Sequence, residues 1–189
     1  MNRDFTFLTQ ASEVVAPRLL GCELVRELDG QQLRCRIVET EAYDQSDAAS
    51  HSYRGRTPRI DVMFGPPGRL YVYFTYGMHY CCNVVCGPEG QGAAVLIRAV
   101  EPLEGEVVMS SYRRGMQGVV LTNGPAKLCQ ALAIDRSMNG HNLRLAPLQL
   151  LIRDSLKPEA IIQTTRIGIS QAKDMPWRFY IKDNPYISN

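Results

Sequence analysis

The chain is poor in the features that would place it in several large protein classes. Its 189 residues include three histidines and one tryptophan, and its six cysteines form no Cys-x-x-Cys pair. A structural zinc site needs four ligands that converge as a tetrahedron, usually from close-set Cys and His pairs. Only His79, Cys82 and Cys86 lie near one another, and Cys81-Cys82 sit inside an apolar run. Buried, reduced thiols acting as small hydrophobes are therefore the expectation, with no metal. Nowhere do eighteen apolar residues run together, which excludes a membrane-spanning helix. The opening MNRDFTFLTQ lacks the long apolar segment of a secretory signal, so a soluble intracellular protein is expected. A net charge of only +2 excludes a strongly basic protein of histone type, though not a locally basic face.

What is present points to one folded domain over residues 1–189. A hydrophobic share of 45% is enough for a buried core and rules out global disorder. No repeat, linker or low-complexity tract divides the chain. Charge is uneven: residues 1–50 balance at −4 and residues 51–189 at +6. The excess begins with Arg54, Arg56, Arg59 and Arg69 against the single Asp61, which suits a partner of negative charge. A solvated loop would produce the same pattern.

Val14, Val15, Leu19 and Leu20, ended by Gly21, predict a short helix whose regularity Pro17 limits. CELVREL, Asp29-Gly30 and QQLRCRIVETEAY read as a hairpin, because Asp-Gly suits a type I′ turn. RLYVYFT (69–75), HYCCNVVC (79–86) and AAVLIRAVEP (93–102) are further strands rich in β-branched and aromatic residues. Helices are expected near 104–114 and 124–134, and strands near 148–153, 161–167 and 177–182. Hairpins dominate the first half, so the class is α+β with a mainly antiparallel sheet.

Four groups of residues could carry chemistry. Period-two reading places Ile37, Glu39, Glu41 and Tyr43 on one strand face, where two carboxylates are costly unless solvated, paired or used. A carboxylate can activate water or stabilise a developing cation at an anomeric carbon, but spacing does not choose between Glu39 and Glu41. Tyr71, Tyr73, Tyr76 and Tyr80 fall within ten residues, and Tyr71 and Tyr73 share a face. Such rings could stack on a flat base, and Tyr76 at a hairpin tip could wedge into a base stack. Asn123-Gly124-Pro125-Ala126-Lys127 opens a helix whose free amides could hold a phosphate, although a plain helix start is commoner. Arg98 stands between apolar neighbours and needs a carboxylate or phosphate if it points inward.

Together these segments resemble the alkyladenine (3-methyladenine, methylpurine) DNA glycosylase family in its bacterial-type form. The resemblance rests on RIVETEAY (36–43), SHSYRGRTPR (50–59), MFGPPGRLYVYFTYGMHYCCNVV (63–85), VLIRAVEPLEG (95–105), GPAKLCQALAI (124–134), RIGI (166–169) and RFYI (178–181). It covers nearly the whole chain in family order. It implies a single domain built on a curved, partly open, barrel-like sheet with packed helices and a protruding β-hairpin.

The same resemblance implies roles. Glu41 matches the general base that activates the attacking water, and Arg98 the arginine that helps to hold that water. A backbone carbonyl near Ile167 would be a third contact. Tyr43, His51 and Tyr73 match the aromatic walls of the base pocket, and Asn83 the asparagine that disfavours the exocyclic amino group of guanine. Tyr76 matches the residue inserted into the duplex. Arg54, Arg56, Thr57, Arg59, Met78, Gly124 and Lys127 would lie along the DNA backbone. The implied partner is duplex DNA carrying damaged purines, bound by a monomer in the cytoplasm near the nucleoid, away from membranes. No cofactor is implied, and no lysine occupies a place from which to cleave the strand. A non-catalytic damage-binding module is the alternative. A glycosidase with Glu39 and Glu41 as an acid/base pair fails, because residues two apart on one strand stand roughly 7 Å apart and point the same way.

Overall fold

Strand β2 (Gln31–Tyr43) is the spine of the molecule, thirteen residues long and almost wholly buried beyond its first turn. The computed structural model describes residues 4–75 and 77–188. Strand β1 (Glu23–Leu28) reaches β2 through a turn in which Asp29 and Gly30 both have positive φ, 52° and 74°. That is the type I′ geometry expected of Asp-Gly. Strands β3 (Leu70–Thr75), β4 (His79–Val85) and β5 (Ala94–Glu104) follow, then β6 (Leu148–Leu151), β7 (Ile161–Thr164) and β8 (Arg178–Ile181). The path runs β3-β4-β5-β2-β1-β6, every pairing is antiparallel, and the sheet is not closed into a barrel. Along its other edge β2 is shared: residues 31–36 pair with β1, and Glu39–Glu41 pair with β8.

Helices α1 (Ser12–Leu19), α2 (Glu106–Tyr112) and α3 (Pro125–Ala131) complete the α+β architecture. They close the main core, which includes Val15, Leu19, Leu33, Cys35, Ile37, Val95, Ile97, Met109 and Leu128. Pro17 interrupts the hydrogen bonding of α1, and the Thr40 hydroxyl donates to the Ala16 carbonyl at 2.9 Å. All six cysteines are buried and none forms a disulfide. A smaller cluster of Ile60, Met63, Phe64, Tyr71, Val85 and Ala94 lies apart from it.

One expectation fails, and the failure shapes the site. Ile37 does not share a face with Glu39, Glu41 and Tyr43. Against β5 the register runs Ile37↔Val100, Glu39↔Ala99, Thr40↔Ile97, with shifts on both sides of Glu39. Val38 is the extra residue on β2 and Arg98 the extra residue on β5, so two opposed bulges reset the alternation. Leu33, Cys35 and Ile37 face the main core before the reset, and after it Ala42 does, with Thr40 bonded to α1. Glu39 and Glu41 are thereby turned to the opposite side, where Arg98 meets both.

Candidate active site

The two glutamates are fully buried, yet neither is stranded. Arg98 Nε lies 3.2 Å from Glu39 Oε1, and Arg98 Nη1 lies 3.2 Å from Glu41 Oε2. Arg178 on β8 adds a second guanidinium, its Nε donating to Glu39 Oε1 at 2.6 Å. Two carboxylates and two guanidiniums thus balance within one buried cluster, which is the condition for keeping such charges out of water. Burial by itself would lower the pKa of Arg98, but the Glu41 and Glu39 carboxylates outweigh it and push it above its ordinary value.

The partners of the two carboxylates differ. Glu39 also accepts from the Ser188 amide at 2.6 Å and the Ser188 hydroxyl at 2.9 Å. Glu41 Oε2 accepts from the Tyr43 hydroxyl at 2.8 Å, in addition to its ion pair with Arg98. Glu41 Oε1 accepts from the Ile167 amide at 2.8 Å. Ile167 therefore reaches Glu41 through its N–H, whereas the resemblance implied a carbonyl contact to water. Desolvation, reinforced by Glu41, pushes the Tyr43 phenol well above its usual pKa, so Tyr43 remains a donor.

Over this cluster lies a cavity of about 440 Å³ lined by Tyr43, His51, Tyr71, Tyr73, Asn83, Arg98 and Ile167 among others. That volume falls in the range of small-molecule sites. Glu41 is not part of the lining; it sits behind Tyr43, Arg98 and Ile167. Tyr71 and Tyr73 stack with ring centroids 5.7 Å apart, and His51 stands edge-on to Tyr73 at 4.6 Å. His51 Nδ1 lies 3.0 Å from the Tyr71 hydroxyl. Burial, then the charge of Arg59, lower the His51 pKa, which favours neutral imidazole at pH 7. Asn83 donates its amide N–H to the Tyr71 carbonyl at 3.1 Å, leaving its oxygen as the acceptor end.

The four tyrosines do not form one platform. Tyr80 faces the other side of the sheet, against Phe74 at 5.1 Å and the main core. Tyr76 lies outside the described residues. Met78, in the turn between β3 and β4, is 70% exposed. Arg54, Arg56, Thr57 and Arg59 are exposed, with Arg56 paired to Asp61. Gly124 is buried just before α3, and Lys127 Nζ donates to Asn123 Oδ1 at 2.7 Å. The structure thus gathers Tyr43, His51, Tyr73, Asn83, Arg98 and Ile167 around one cavity, while the basic stretch of 54–59 lies outside its lining.

Several residues of the site escaped the linear reading. Cys81, read as core filler, lines the cavity beside Tyr71 and Tyr73. Arg166 pairs with Asp47 through both Nη atoms and donates to the Ala42 carbonyl at 2.9 Å. Its guanidinium carbon lies 4.7 Å from the Tyr43 ring centroid and 5.3 Å from that of Trp177, cation over π face. This pair ties the 44–51 loop, which carries His51, to the segment that carries Ile167. Arg166 and Asp47 are 119 residues apart, and no local pattern marks such a pair.

The chain is similar to known proteins over nearly its whole length. The family description Methylpurine-DNA glycosylase (MPG) matches residues 6–185. A protein of Carboxydothermus hydrogenoformans, provisionally named 3-methyladenine DNA glycosylase, is 53% identical over 176 residues, covering 93% of this chain and 92% of its own. A protein of Methanoculleus marisnigri with the same provisional name is 49% identical over 191 residues, covering 100% of this chain and 99% of its own. Another, from Francisella tularensis, is 50% identical over 176 residues, covering 92% and 91%. With a match of this extent laid over a tyrosine-walled cavity and a buried carboxylate–guanidinium cluster, the chain belongs to the methylpurine-DNA glycosylase family.

Proposed function

We propose that this chain is a monofunctional DNA glycosylase of base excision repair that acts on alkylated or deaminated purines in duplex DNA. Residues 1–189 form its one glycosylase domain. A base inside the duplex stack is out of reach, so the nucleotide must be extruded, and damaged bases cost less to extrude. Tyr76 fills the space left in the duplex. Arg54, Arg56, Thr57, Arg59, Met78, Gly124 and Lys127 follow the backbone, which makes binding salt-dependent.

In the cavity Tyr43, His51 and Tyr73 enclose the purine, and their electron-rich faces attract a base that alkylation has made cationic. Asn83 presents its oxygen to the base edge, where it disfavours the exocyclic amino group of guanine. Glu41 then acts as general base. Its Oε1 holds only the Ile167 amide among the described contacts and so has acceptor capacity for a water. The water oxygen bonds to C1′ as the N-glycosidic bond breaks, the base leaves with the bonding electron pair, and Glu41 takes the water proton. Arg98 holds the water and steadies the carboxylate. Because water and not a lysine amine is the nucleophile in this step, the product is an abasic site without strand cleavage.

The observation that carries this reading is Glu41 buried behind the cavity wall with Arg98 Nη1 3.2 Å from Oε2. The test is a single-turnover assay on duplexes carrying one hypoxanthine or ethenoadenine, and on methylated DNA, with wild type and Glu41→Gln compared. Wild type should release the base, and Glu41→Gln should bind the same duplex while release falls about 10²–10⁴-fold. Binding without release by either protein would make the chain a damage-binding module.

A further inference from the structure

Arg98 and Glu41 are described above as working groups, but what holds Arg98 in place is a residue far away in sequence. Ser188 lies in the segment that follows β8 and returns to the sheet, where it is only 6% exposed. Each of its polar groups is engaged in the cluster. Its amide donates to Glu39 Oε2 at 2.6 Å, its hydroxyl donates to Glu39 Oε1 at 2.9 Å, and its carbonyl accepts from Arg178 Nη2 at 3.1 Å. The same hydroxyl oxygen accepts from Arg98 Nε at 3.2 Å and Arg98 Nη2 at 3.1 Å.

A guanidinium is a rigid planar fork, so fixing two of its nitrogens fixes the third. With Nε and Nη2 held on the Ser188 oxygen, Nη1 is directed to Glu41. Glu39 alone would not impose this plane, because it meets Arg98 at Nε only, at 3.2 Å, and is shared with Arg178. We infer that Ser188 is a positioning residue, its hydroxyl clamping Arg98 so that Nη1 faces Glu41 and the cavity. The inference rests on the proposed roles of Glu41 and Arg98. Ser188 does not line the cavity, so its part in the reaction is exerted through Arg98.

The experiment compares wild type, Ser188→Ala, Ser188→Thr and Glu41→Gln on a hypoxanthine duplex, each protein assayed well below its own melting temperature. Ser188→Ala should slow single-turnover release about tenfold at saturating protein, because a misaimed catalytic group costs rate more than binding. Its Kd for the duplex should stay within about twofold of wild type, as expected when an interaction made only in the transition state is lost. Ser188→Thr, which keeps the hydroxyl, should recover most of the rate. The Arg98 Nε resonance in a ¹H–¹⁵N spectrum should move in the alanine variant and return in the threonine variant. Release by Ser188→Ala at the wild-type rate, with Glu41→Gln inactive, would overturn the clamp and leave the glycosylase reading standing. So would loss of rate and affinity together with no recovery in Ser188→Thr, which would mark Ser188 as a structural anchor. Release by Glu41→Gln at the wild-type rate would instead overturn the reading on which the clamp depends.

Discussion

Glu39 and Glu41 are separated by one residue, are both fully buried, and share Arg98, yet their surroundings differ. Around Glu39 the donors are Arg98, Arg178 and the Ser188 hydroxyl on Oε1 and the Ser188 amide on Oε2, and of these residues Arg98 alone lines the cavity. Around Glu41 they come from Tyr43, Ile167 and Arg98, all lining residues of the cavity, and one oxygen carries a single amide contact. A buried carboxylate whose donors mostly lie away from the cavity is placed to anchor the cluster. One whose donors all line the cavity is separated from whatever enters only by those donors. Carboxylate chemistry is common to both; the count and origin of donors separates them.

Substitution at each glutamate in turn gives the largest effects. Glu41→Gln should cost about 10²–10⁴-fold in base release. It should cost less stability than Glu39→Gln, because Arg98 keeps Glu39 as a counter-ion. Glu39→Gln leaves Arg178 without the carboxylate it pairs with and Arg98 with Glu41 alone. Urea denaturation should show a loss of about 3–5 kcal/mol, the cost of breaking a buried pair from one side. Equal stability for the two variants would break the division between anchor and base.

Intermediate effects are expected on the cavity wall. Gly92 lies against the His51 turn: the Ser52 hydroxyl donates to its carbonyl at 2.7 Å, and an added Cβ would stand 2.5 Å from Ser52 Cβ and 2.7 Å from Phe64 Cζ. Gly92→Ala should destabilise by about 1–3 kcal/mol through overpacking. It should also weaken lesion-duplex binding by displacing His51, while leaving Glu39 and its partners untouched. A binding isotherm and a denaturation curve measure the two parts.

The smallest effect is a pH dependence. Burial, then Arg59, lower the His51 pKa below its ordinary value of about 6.5. The fold therefore resists protonation: the contribution to stability is present above pH ~6.5 and is lost as pH falls through the lowered folded value. Once protonated, His51 places a cation beside the base. Release of a cationic methylpurine should then fall a few-fold more than release of neutral hypoxanthine as pH is lowered, following Coulomb repulsion. His51→Asn should flatten that difference. A pH–rate profile for both substrates checks it.

Much of the fold was readable locally. Asp29-Gly30, the β-branched runs of β3 to β5 and the Pro125 helix start each carry their conformation in a few adjacent residues. The site was readable only in part. Tyr71 and Tyr73 share a face because strand alternation requires it, and they stack as expected. Tyr80 joins the opposite face, since nine residues after Tyr71 the chain has crossed a hairpin whose register pairs it with Phe74. The alternation that would have kept Ile37 with Glu39 fails at Val38, because a bulge depends on the partner strand as much as on its own residues.

The sequence by itself determined which elements form and which residue types are available to them, since helix starts, tight turns and strand alternation are local matters of steric fit and hydrogen bonding. Its resemblance to one family also indicated Glu41 as the working carboxylate. Only the tertiary structure decided that Glu41, and not Glu39, has all its partners on the cavity wall. That outcome depends on Arg98 opposite, Ile167 and Arg178 beyond the helices, and Ser188, which is 149 residues from Glu39. Buried charges are held by whatever donors the fold brings within about 3 Å, and such contacts leave no trace in the spacing of neighbours along a chain.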